Sequence, residues 1–332
     1  MLPRWSAASG GGSVQTPASE VFAQPDFSGP LLGSGSPLER GTLGALDRLQ
    51  QILTLQPLGD DRFRAGNEAS RFGRIFGGQL IAQAMSAAAA TVPELTAHSI
   101  HASFLRPGDS AAPLEVVVDR TRDGRTMSAR QVAVQQAGRT LMIATVSFES
   151  SSESAEGAED LAVSQPATDP ETLPLLQHWA HQAPPHLADR GSTWIDRPPP
   201  LEMRSAEAPS FLGGARAAGH RAHWMRLPRA IEGGPQLHAV LLAYASDYLL
   251  VDTAFRSHPE RVDHATHTGL TLDHSIWLHR PVRFDQWHVY TQQTVAISGH
   301  RALVHGTIVE VTGRHVASTA QEVLVRPLAE LT

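Results

Sequence analysis

Asp247 is the residue of this sequence whose setting points most directly to chemistry. It lies in an apolar run, residues 239–251, otherwise made of Val, Leu, Ala, Tyr and one Ser. Acidic side chains are almost never fully buried without a partner, because an unpaired charge in an apolar interior is costly. Polar partners or a wet cleft are therefore expected around Asp247, and a partly desolvated carboxylate is suited to act as a general base. The alternative is that Asp247 ends or caps a helix and pairs with an arginine.

An internal repeat shows that the fold does not need an acid at this position. Residues 77–82 (Gly-Gly-Gln-Leu-Ile-Ala) reappear as residues 234–239 (Gly-Pro-Gln-Leu-His-Ala), at an offset of 234 − 77 = 157. With that offset the counterpart of Asp247 is Ala90, because 247 − 157 = 90. A period this long indicates two similar domains rather than a solenoid, whose repeats are ~20–50 residues long. Positions that are polar only in the second copy are therefore candidates for a functional site.

Gln321 and Thr271 are two further polar residues in the second copy. Gln321 lies on the apolar face of a predicted strand, in alternation with Ala317, Thr319, Val323 and Val325. The matched glycines Gly313 and Gly138 give Val146 as its counterpart, because 313 + 8 = 321 and 138 + 8 = 146. Thr271 shares a predicted strand face with Asp273, Ser275 and Trp277, although threonine is common in strands because of its shape.

Each half of the sequence is interpreted as one buried helix followed by antiparallel strands, which is an α+β arrangement. Apolar spacing predicts helices at 42–55, 77–90 and 236–252. Alternation and turn residues predict strands at 98–105, 114–121, 126–136, 140–150 and 218–227, with more strands between 268 and 326. We therefore predict a disordered Gly/Ser/Pro-rich tail (1–40), a first domain (41–150), a linker (151–195) and a second domain (196–328) that carries the polar residues.

Composition excludes several classes of site and partner. The chain has 332 residues, a net charge of −6, no cysteine, and 27 basic residues that are all arginine. Thiolate nucleophiles and Schiff-base lysines are thus excluded, and neither a metal nor a cofactor is predicted. The negative charge argues against nucleic-acid binding, and no apolar run approaches the ~20 residues of a membrane helix. Since no signal peptide is recognisable, the predicted location is the cytoplasm.

Five separated motifs, in order, resemble the acyl-CoA thioesterase II family: Phe76-Gly77-Gly78-Gln79, Phe104-Leu105-Arg106-Pro107-Gly108, Tyr244-Ala245-Ser246-Asp247, Asp273-His274-Ser275-Ile276-Trp277-Leu278-His279-Arg280-Pro281 and Ser318-Thr319-Ala320-Gln321-Glu322. The resemblance implies a double hotdog fold, in which a curled antiparallel sheet wraps a long central helix in each of two copies, and a homodimer of such units. It further implies hydrolysis of fatty acyl-CoA to free fatty acid and CoA, by a water that Asp247, Thr271 and Gln321 activate.

Two further sets of residues are expected to meet the substrate. A helix N-terminus offers unpaired N–H groups and a favourable dipole to an oxyanion, and Gly77, Gly78 and Gln79 begin the first central helix. The phosphates of CoA require arginines, since the chain has no lysine. The candidates, each of which could instead form a surface or inter-copy ion pair, are Arg106, Arg130, Arg280 and Arg326.

Other functions and routes stay open on the sequence alone. The chain could bind acyl-CoA without hydrolysing it, or hydrate an enoyl-CoA, although the Gly-Asp-x-Asn-Pro-x-His pattern of such hydratases is absent. Asp247 could also attack the thioester directly and form an anhydride. His274 repeats as His98, which favours a structural role over a catalytic one, and the 17 histidines contain no metal-binding motif.

Overall fold

Six α-helices, four short 3₁₀ helices and one large antiparallel sheet account for the regular structure of the described residues. These residues are 37–71, 73–150, 168–258 and 262–330 of this computed structural model. The helices are α1 (Pro37–Leu53), α2 (Gly77–Ala90), α3 (Leu176–His181), α4 (Ala188–Asp196), α5 (Pro235–Ala245) and α6 (Leu250–Ser257). The strands are β1 (Gln56–Gly59), β2 (Arg62–Ala65), β3 (Thr96–Phe104), β4 (Leu114–Arg122), β5 (Met127–Gln136), β6 (Arg139–Glu149), β7 (Glu202–Arg204), β8 (Arg221–Arg226), β9 (His267–Thr271), β10 (Asp273–Leu278), β11 (His288–Ser298), β12 (Arg301–Glu310) and β13 (His315–Pro327). Residues 1–36 of the predicted tail and residues 151–167 of the predicted linker lie outside the described residues.

The described strands form a 13-stranded sheet in the order β1-β2-β4-β5-β6-β3-β10-β13-β12-β11-β8-β7, with β9 also paired to β13. All neighbouring strands are antiparallel. The two halves of the chain meet at β3 and β10, where Ile100 lies opposite Ile276. A large antiparallel sheet with few helices is an α+β arrangement, as the sequence predicts.

The helix α2 is buried on nearly all sides, because its sequence is made almost wholly of small and apolar residues. It packs on β3, β4, β5 and β6 and against α5 of the other half. At Gly78 the two helices approach so closely that an added Cβ would lie 2.2 Å from the carbonyl oxygen of Tyr244. The counterpart of Gly78 in the second copy is Pro235, so this contact, rather than the fold in general, requires the glycine.

Most predicted strands agree with the structure, while some elements had no counterpart in the prediction. Strands β3 to β6 begin and end within two residues of the predicted strands. The hairpin of β1 and β2 and the helix α4 were not predicted. Trp194 of α4 is 4% exposed and belongs to the hydrophobic core, so the described part of the predicted linker is structured.

The prediction of one continuous helix over 236–252 is wrong, because the chain forms α5, a turn and then α6. Side chains of β11 fix this break. The Tyr290 hydroxyl donates to the Ser246 carbonyl at 2.9 Å, and Gln292 Nε2 donates to the Tyr248 carbonyl at 2.8 Å. In a continuous helix these carbonyls would accept from N–H groups four residues later, so strand side chains replace helical hydrogen bonds here.

Replacing Gly78 with Ala is expected to destabilise the protein by about 1–3 kcal/mol, because the added methyl group would force α2 and α5 apart at a packed contact. The loss is expected although alanine is the better helix former. Gly234→Ala is the control, since no atom lies within 4 Å of the Cβ that it would add. Denaturant unfolding of both variants measures the free energies, and equal stability of the two variants would contradict the close contact.

Candidate active site

Asp247 lies in the turn between α5 and α6 and is held by the beginning of α2, which belongs to the other half of the chain. The backbone N–H of Gly78 donates to Asp247 Oδ2 at 2.9 Å, and Asp247 is 7% exposed. A Cβ on Gly77 would lie 2.7 Å from the same oxygen. The two glycines therefore let the N-terminus of α2 approach the carboxylate, where its free N–H groups and dipole favour negative charge.

Thr271 ends β9 and Gln321 lies on β13, and the pairing of these strands brings both side chains beside Asp247. Gln321 Nε2 donates to Thr271 Oγ1 at 3.1 Å. Both side chains are close enough to the carboxylate to lower its pKa. Oδ1 of Asp247 is nevertheless buried and has no hydrogen-bond partner of good geometry among the described residues. An unsatisfied carboxylate oxygen in this position is suited to accept a hydrogen bond from a bound water.

The pKa of Asp247 is raised to about 7. Burial is the main cause, because it disfavours the charged form of the carboxyl group. The amide of Gly78, the guanidinium of Arg74 and the side chains of Gln321 and Thr271 act in the opposite direction. The carboxylate can therefore take up and release a proton near neutral pH, which is the property that a general base needs.

Asp247 and Thr271 line a pocket of ≈ 760 Å³ to which both halves of the chain contribute. This volume lies within the ~300–1,000 Å³ typical of small-molecule sites. Apolar side chains from the first half, the second half and the segment between them form much of its wall; examples are Phe104, Leu249 and Trp194. The pocket therefore suits a ligand that has an apolar chain and a polar group next to the carboxylate.

Two of the three residues predicted to form an oxyanion site, Gly78 and Gln79, make other contacts in the structure. The N–H of Gly78 is bonded to Asp247, and the N–H of Gln79 donates to the Phe76 carbonyl at 3.1 Å. The Gln79 side chain is fully buried and donates to Asn67 and to another glutamine. Gly77 lines the pocket. The beginning of α2 thus binds the carboxylate first, and of the predicted trio only Gly77 borders the pocket.

Of the four arginines predicted to meet CoA phosphates, Arg106 alone is among the described residues that line the pocket. Arg130 is 1% exposed and forms an ion pair with Asp123. Arg280 lies beyond the end of β10, and Arg326 lies on β13. The structure therefore does not bring Arg130, Arg280 or Arg326 to this pocket.

Three arginines that line the pocket were not predicted, namely Arg71, Arg74 and Arg190. Arg74 faces Asp247 and acts to lower its pKa. Arg71 and Arg74 come shortly before Gly77 in the sequence, and this proximity to the helix start could have identified them. Arg190 lies within the predicted linker, where no sequence signal marks it.

A metal-binding cluster and a membrane-spanning helix are both absent from the described residues. Across the described residues, no group of three or more His, Cys, Asp or Glu side chains is placed to hold a metal ion. In those ranges, too, no helix combines the length and the apolar character needed to cross a membrane.

Two family models match the chain, in sequence order. The acyl-CoA thioesterase N-terminal domain matches residues 67–149, and the acyl-CoA thioesterase C-terminal domain matches residues 165–325. Human acyl-coenzyme A thioesterase 8 is 32% identical over 285 residues, which cover 83% of this chain and 88% of that protein. The chain belongs to the acyl-CoA thioesterase II family. Acyl-CoA thioesterase 2 of Haemophilus influenzae is 31% identical over 283 residues, covering 85% of this chain and 98% of that protein.

Solved structures of the family also resemble this chain. The tesB protein of Mycobacterium avium subspecies paratuberculosis has a TM-score of 0.69 and 28% identity, covering 85% of this chain and 100% of that one. An acyl-CoA thioesterase II of Mycobacterium marinum has a TM-score of 0.67 and 29% identity, covering 85% and 99%. A hot dog fold protein from Alicyclobacillus acidocaldarius, 18% identical with a TM-score of 0.65 and coverage of 84% and 98%, supports the fold alone. The predicted resemblance to the thioesterase family is confirmed, and the fold is of the hotdog type.

The raised pKa of Asp247 leads to a specific prediction about how the stability of the protein depends on pH. Because folding raises this pKa from 3.8 to about 7, the native state keeps a proton that the unfolded state loses in this interval. The contribution of Asp247 to the free energy of unfolding is therefore fully present below about pH 4 and is lost as the pH rises through 7. The free energy of unfolding of Asp247→Asn, relative to that of wild type, should therefore rise by roughly 2–3 kcal/mol between pH 5 and pH 8.

Denaturant unfolding at the two pH values measures this gain. Asp61→Asn is the control, because the hydrogen bond from Arg120 lowers the pKa of Asp61 and, among the described residues, only arginines act on its charge. Its carboxyl group is thus ionised in both the folded and the unfolded state from pH 5 to pH 8. The difference in the free energy of unfolding between this variant and wild type should therefore be constant over this range. If the difference in the free energy of unfolding between Asp247→Asn and wild type is also constant over this range, the pKa of Asp247 is not raised.

Proposed function

We propose that this chain is an acyl-CoA thioester hydrolase that cleaves fatty acyl-CoA to free fatty acid and CoA. The observation that carries the proposal is the carboxylate of Asp247, which has a pKa of about 7 and borders an apolar pocket together with Thr271. A base of this strength next to an apolar pocket fits the activation of water beside a thioester. The family membership supports the same substrate, since the relatives reported above are named acyl-CoA thioesterases.

In the proposed mechanism, Oδ1 of Asp247 accepts a proton from a water bound next to Thr271. The resulting hydroxide attacks the thioester carbonyl carbon, and the carbon–sulfur bond then breaks. The proton on Asp247 passes to the departing thiolate, which yields CoA, and the acyl group leaves as the fatty acid. Gln321 holds Thr271 through its 3.1 Å hydrogen bond, so that the hydroxyl and the carboxylate converge on one water.

We further infer a double hotdog, in which each half of the chain folds as one hotdog unit. Three observations support this architecture: the repeat with its offset of 157 residues, the two family domains in sequence order, and the meeting of the halves at β3 and β10. The domain bounds 41–150 and 196–328 belong to this proposal, and α1, which begins at Pro37, extends the first unit by four residues. The homodimer and the cytoplasmic location stay predictions.

The activity is tested with a panel of acyl-CoA substrates of different chain length and a chromogenic thiol reagent. The chain contains no cysteine, so the reagent detects released CoA without a background from the protein. Wild type should release CoA, with kcat rising as the pH increases through about 7, because the base must be ionised. Asp247→Asn should lower kcat at least ~100-fold while leaving the fold intact.

Two results would count against the proposal. Near-normal turnover by Asp247→Asn would remove Asp247 from the mechanism. Binding of acyl-CoA without release of CoA at any chain length would instead favour the non-catalytic reading.

The two Arg-Pro motifs, at Arg106 and Arg280, allow a matched test of which arginine binds a phosphate of CoA. Arg106 and Arg280 make the same type of contact, each donating to a backbone carbonyl, of Thr140 and of His315 respectively. Only Arg106 of this pair borders the pocket, and it is exposed. We propose that Arg106 also binds a phosphate of CoA.

Arg106→Gln should raise KM for acyl-CoA about tenfold, the effect of losing one charged hydrogen bond, with little change in kcat. Arg280→Gln should leave KM close to the wild-type value, because it loses the same carbonyl contact without affecting the pocket. Steady-state kinetics of both variants with one substrate check this. Equal KM values for the two variants would show that Arg106 does not bind the substrate.

A further inference from the structure

His274 makes two hydrogen bonds that connect three elements behind the pocket. It lies on β10 and is 0% exposed. Its Nδ1 lies 2.7 Å from Oε1 of Gln321 on β13, and its Nε2 lies 2.8 Å from Oγ of Ser246 at the end of α5. Since Gln321 in turn donates to Thr271, His274 is one residue removed from the side chains at the pocket.

The carboxylate of Asp247 determines which way the Gln321 amide must face. An ionised carboxylate only accepts hydrogen bonds, so the amide nitrogen has to point toward Thr271 and Asp247 and the amide oxygen away from them. The oxygen then faces Nδ1 of His274, which has to donate. A flipped amide would instead turn its oxygen toward the Asp247 carboxylate and leave two buried acceptors facing each other.

The protonation of the His274 ring is consistent with this arrangement. Burial lowers the pKa of His274 to about 4, so the ring is neutral at neutral pH. A neutral imidazole has one donor and one acceptor, so when Nδ1 donates to Gln321, Nε2 is the acceptor. The single hydrogen of the Ser246 hydroxyl then points to Nε2 rather than to the Ala243 carbonyl, which also lies 2.8 Å from Oγ. Ser246, His274 and Gln321 thus form one chain of hydrogen bonds that leads to Thr271.

The internal repeat separates this role from a purely structural one. His98 is the counterpart of His274, yet its Nε2 is buried without a hydrogen-bond partner among the described residues. In the first copy both partners are replaced by apolar residues. Val146 occupies the position of Gln321, and Ala89 occupies the position of Ser246, since 246 − 157 = 89. The fold therefore accepts this histidine without either partner, and both partners occur in the half that carries the acid.

We propose that His274 is a positioning residue of the hydrolytic site, whose Nδ1–H holds the Gln321 amide with its nitrogen turned toward Thr271 and Asp247. This inference rests on the proposed hydrolase function. His274 is not among the pocket-lining residues, so it acts through Gln321 and not on the substrate. When the ring donor is lost, the amide is free to rotate, and the carboxylate and the hydroxyl that orient the water lose a donor.

The test compares three single variants by steady-state kinetics and thermal unfolding. His274→Phe keeps a ring but removes the donor, and should lower kcat about 10- to 100-fold through misplacement of the water, with KM nearly unchanged. His274→Asn places an amide N–H close to the position of Nδ1 and should recover part of the lost kcat. His98→Phe, the matched change in the other half, should keep the wild-type kcat.

A double-mutant cycle tests whether His274 acts through Gln321. In a Gln321→Ala background, His274→Phe should have no further effect on kcat, because the group that it positions is gone. Additive losses would overturn the proposal, and so would a wild-type kcat in His274→Phe. If wild type releases no CoA, the proposed hydrolase function fails instead, so the two failures are distinguishable.

A second variant keeps the test valid if His274→Phe does not fold. Ser246→Ala removes the hydroxyl that donates to Nε2 and leaves the ring in place. It should give a smaller loss of kcat, which is again absent in the Gln321→Ala background. A loss of kcat in Ser246→Ala that persists in that background would contradict the hydrogen-bond chain.

Discussion

The hydrogen bond from the Gly78 N–H to Oδ2 of Asp247 is the contact on which the candidate site depends, because it joins a carboxylate of one half to a helix terminus of the other. A carboxylate that is 7% exposed needs donors to hold a charge. The beginning of α2 supplies a donor and the favourable end of the helix dipole without adding a titratable group. The first half therefore takes part in the site although it carries none of the three proposed catalytic side chains.

The break between α5 and α6 is the second requirement, since it places Asp247 in a turn rather than on the side of a helix. Tyr290 and Gln292 bond the carbonyls that the break releases, and both side chains are fully buried. Gln292 also accepts a hydrogen bond from Thr253 of α6, so one amide joins the turn to α6. Buried polar groups that are satisfied in this way specify one arrangement of the backbone, because leaving any of them unpaired is costly.

Most of the strands could be predicted from the sequence, because they follow local periodicity. Asp247 and Gln321 differ from their counterparts in the internal repeat, whereas Thr271 is proposed only from the resemblance to the thioesterase family. The helix break could not be predicted, since residues 239–251 favour a helix and the side chains that interrupt it lie 44 residues further along the chain. The arginines that do not reach the pocket, Arg130, Arg280 and Arg326, could not be excluded for a related reason. Every arginine carries the same charge, and whether Arg130 or Arg74 reaches the pocket depends on packing between segments that are distant in sequence.

A carboxylate can serve as a general base in this site because opposing effects on its pKa nearly balance. Burial alone would keep Asp247 protonated at neutral pH and leave no base. Too many donors would return the pKa toward its ordinary value of 3.8 and weaken the base. Gly78 satisfies Oδ2, while Oδ1 lacks a protein donor of good geometry. Contacts from the first half thus decide which oxygen is free, and Thr271 and Gln321 of the second half adjust how strongly that oxygen binds a proton.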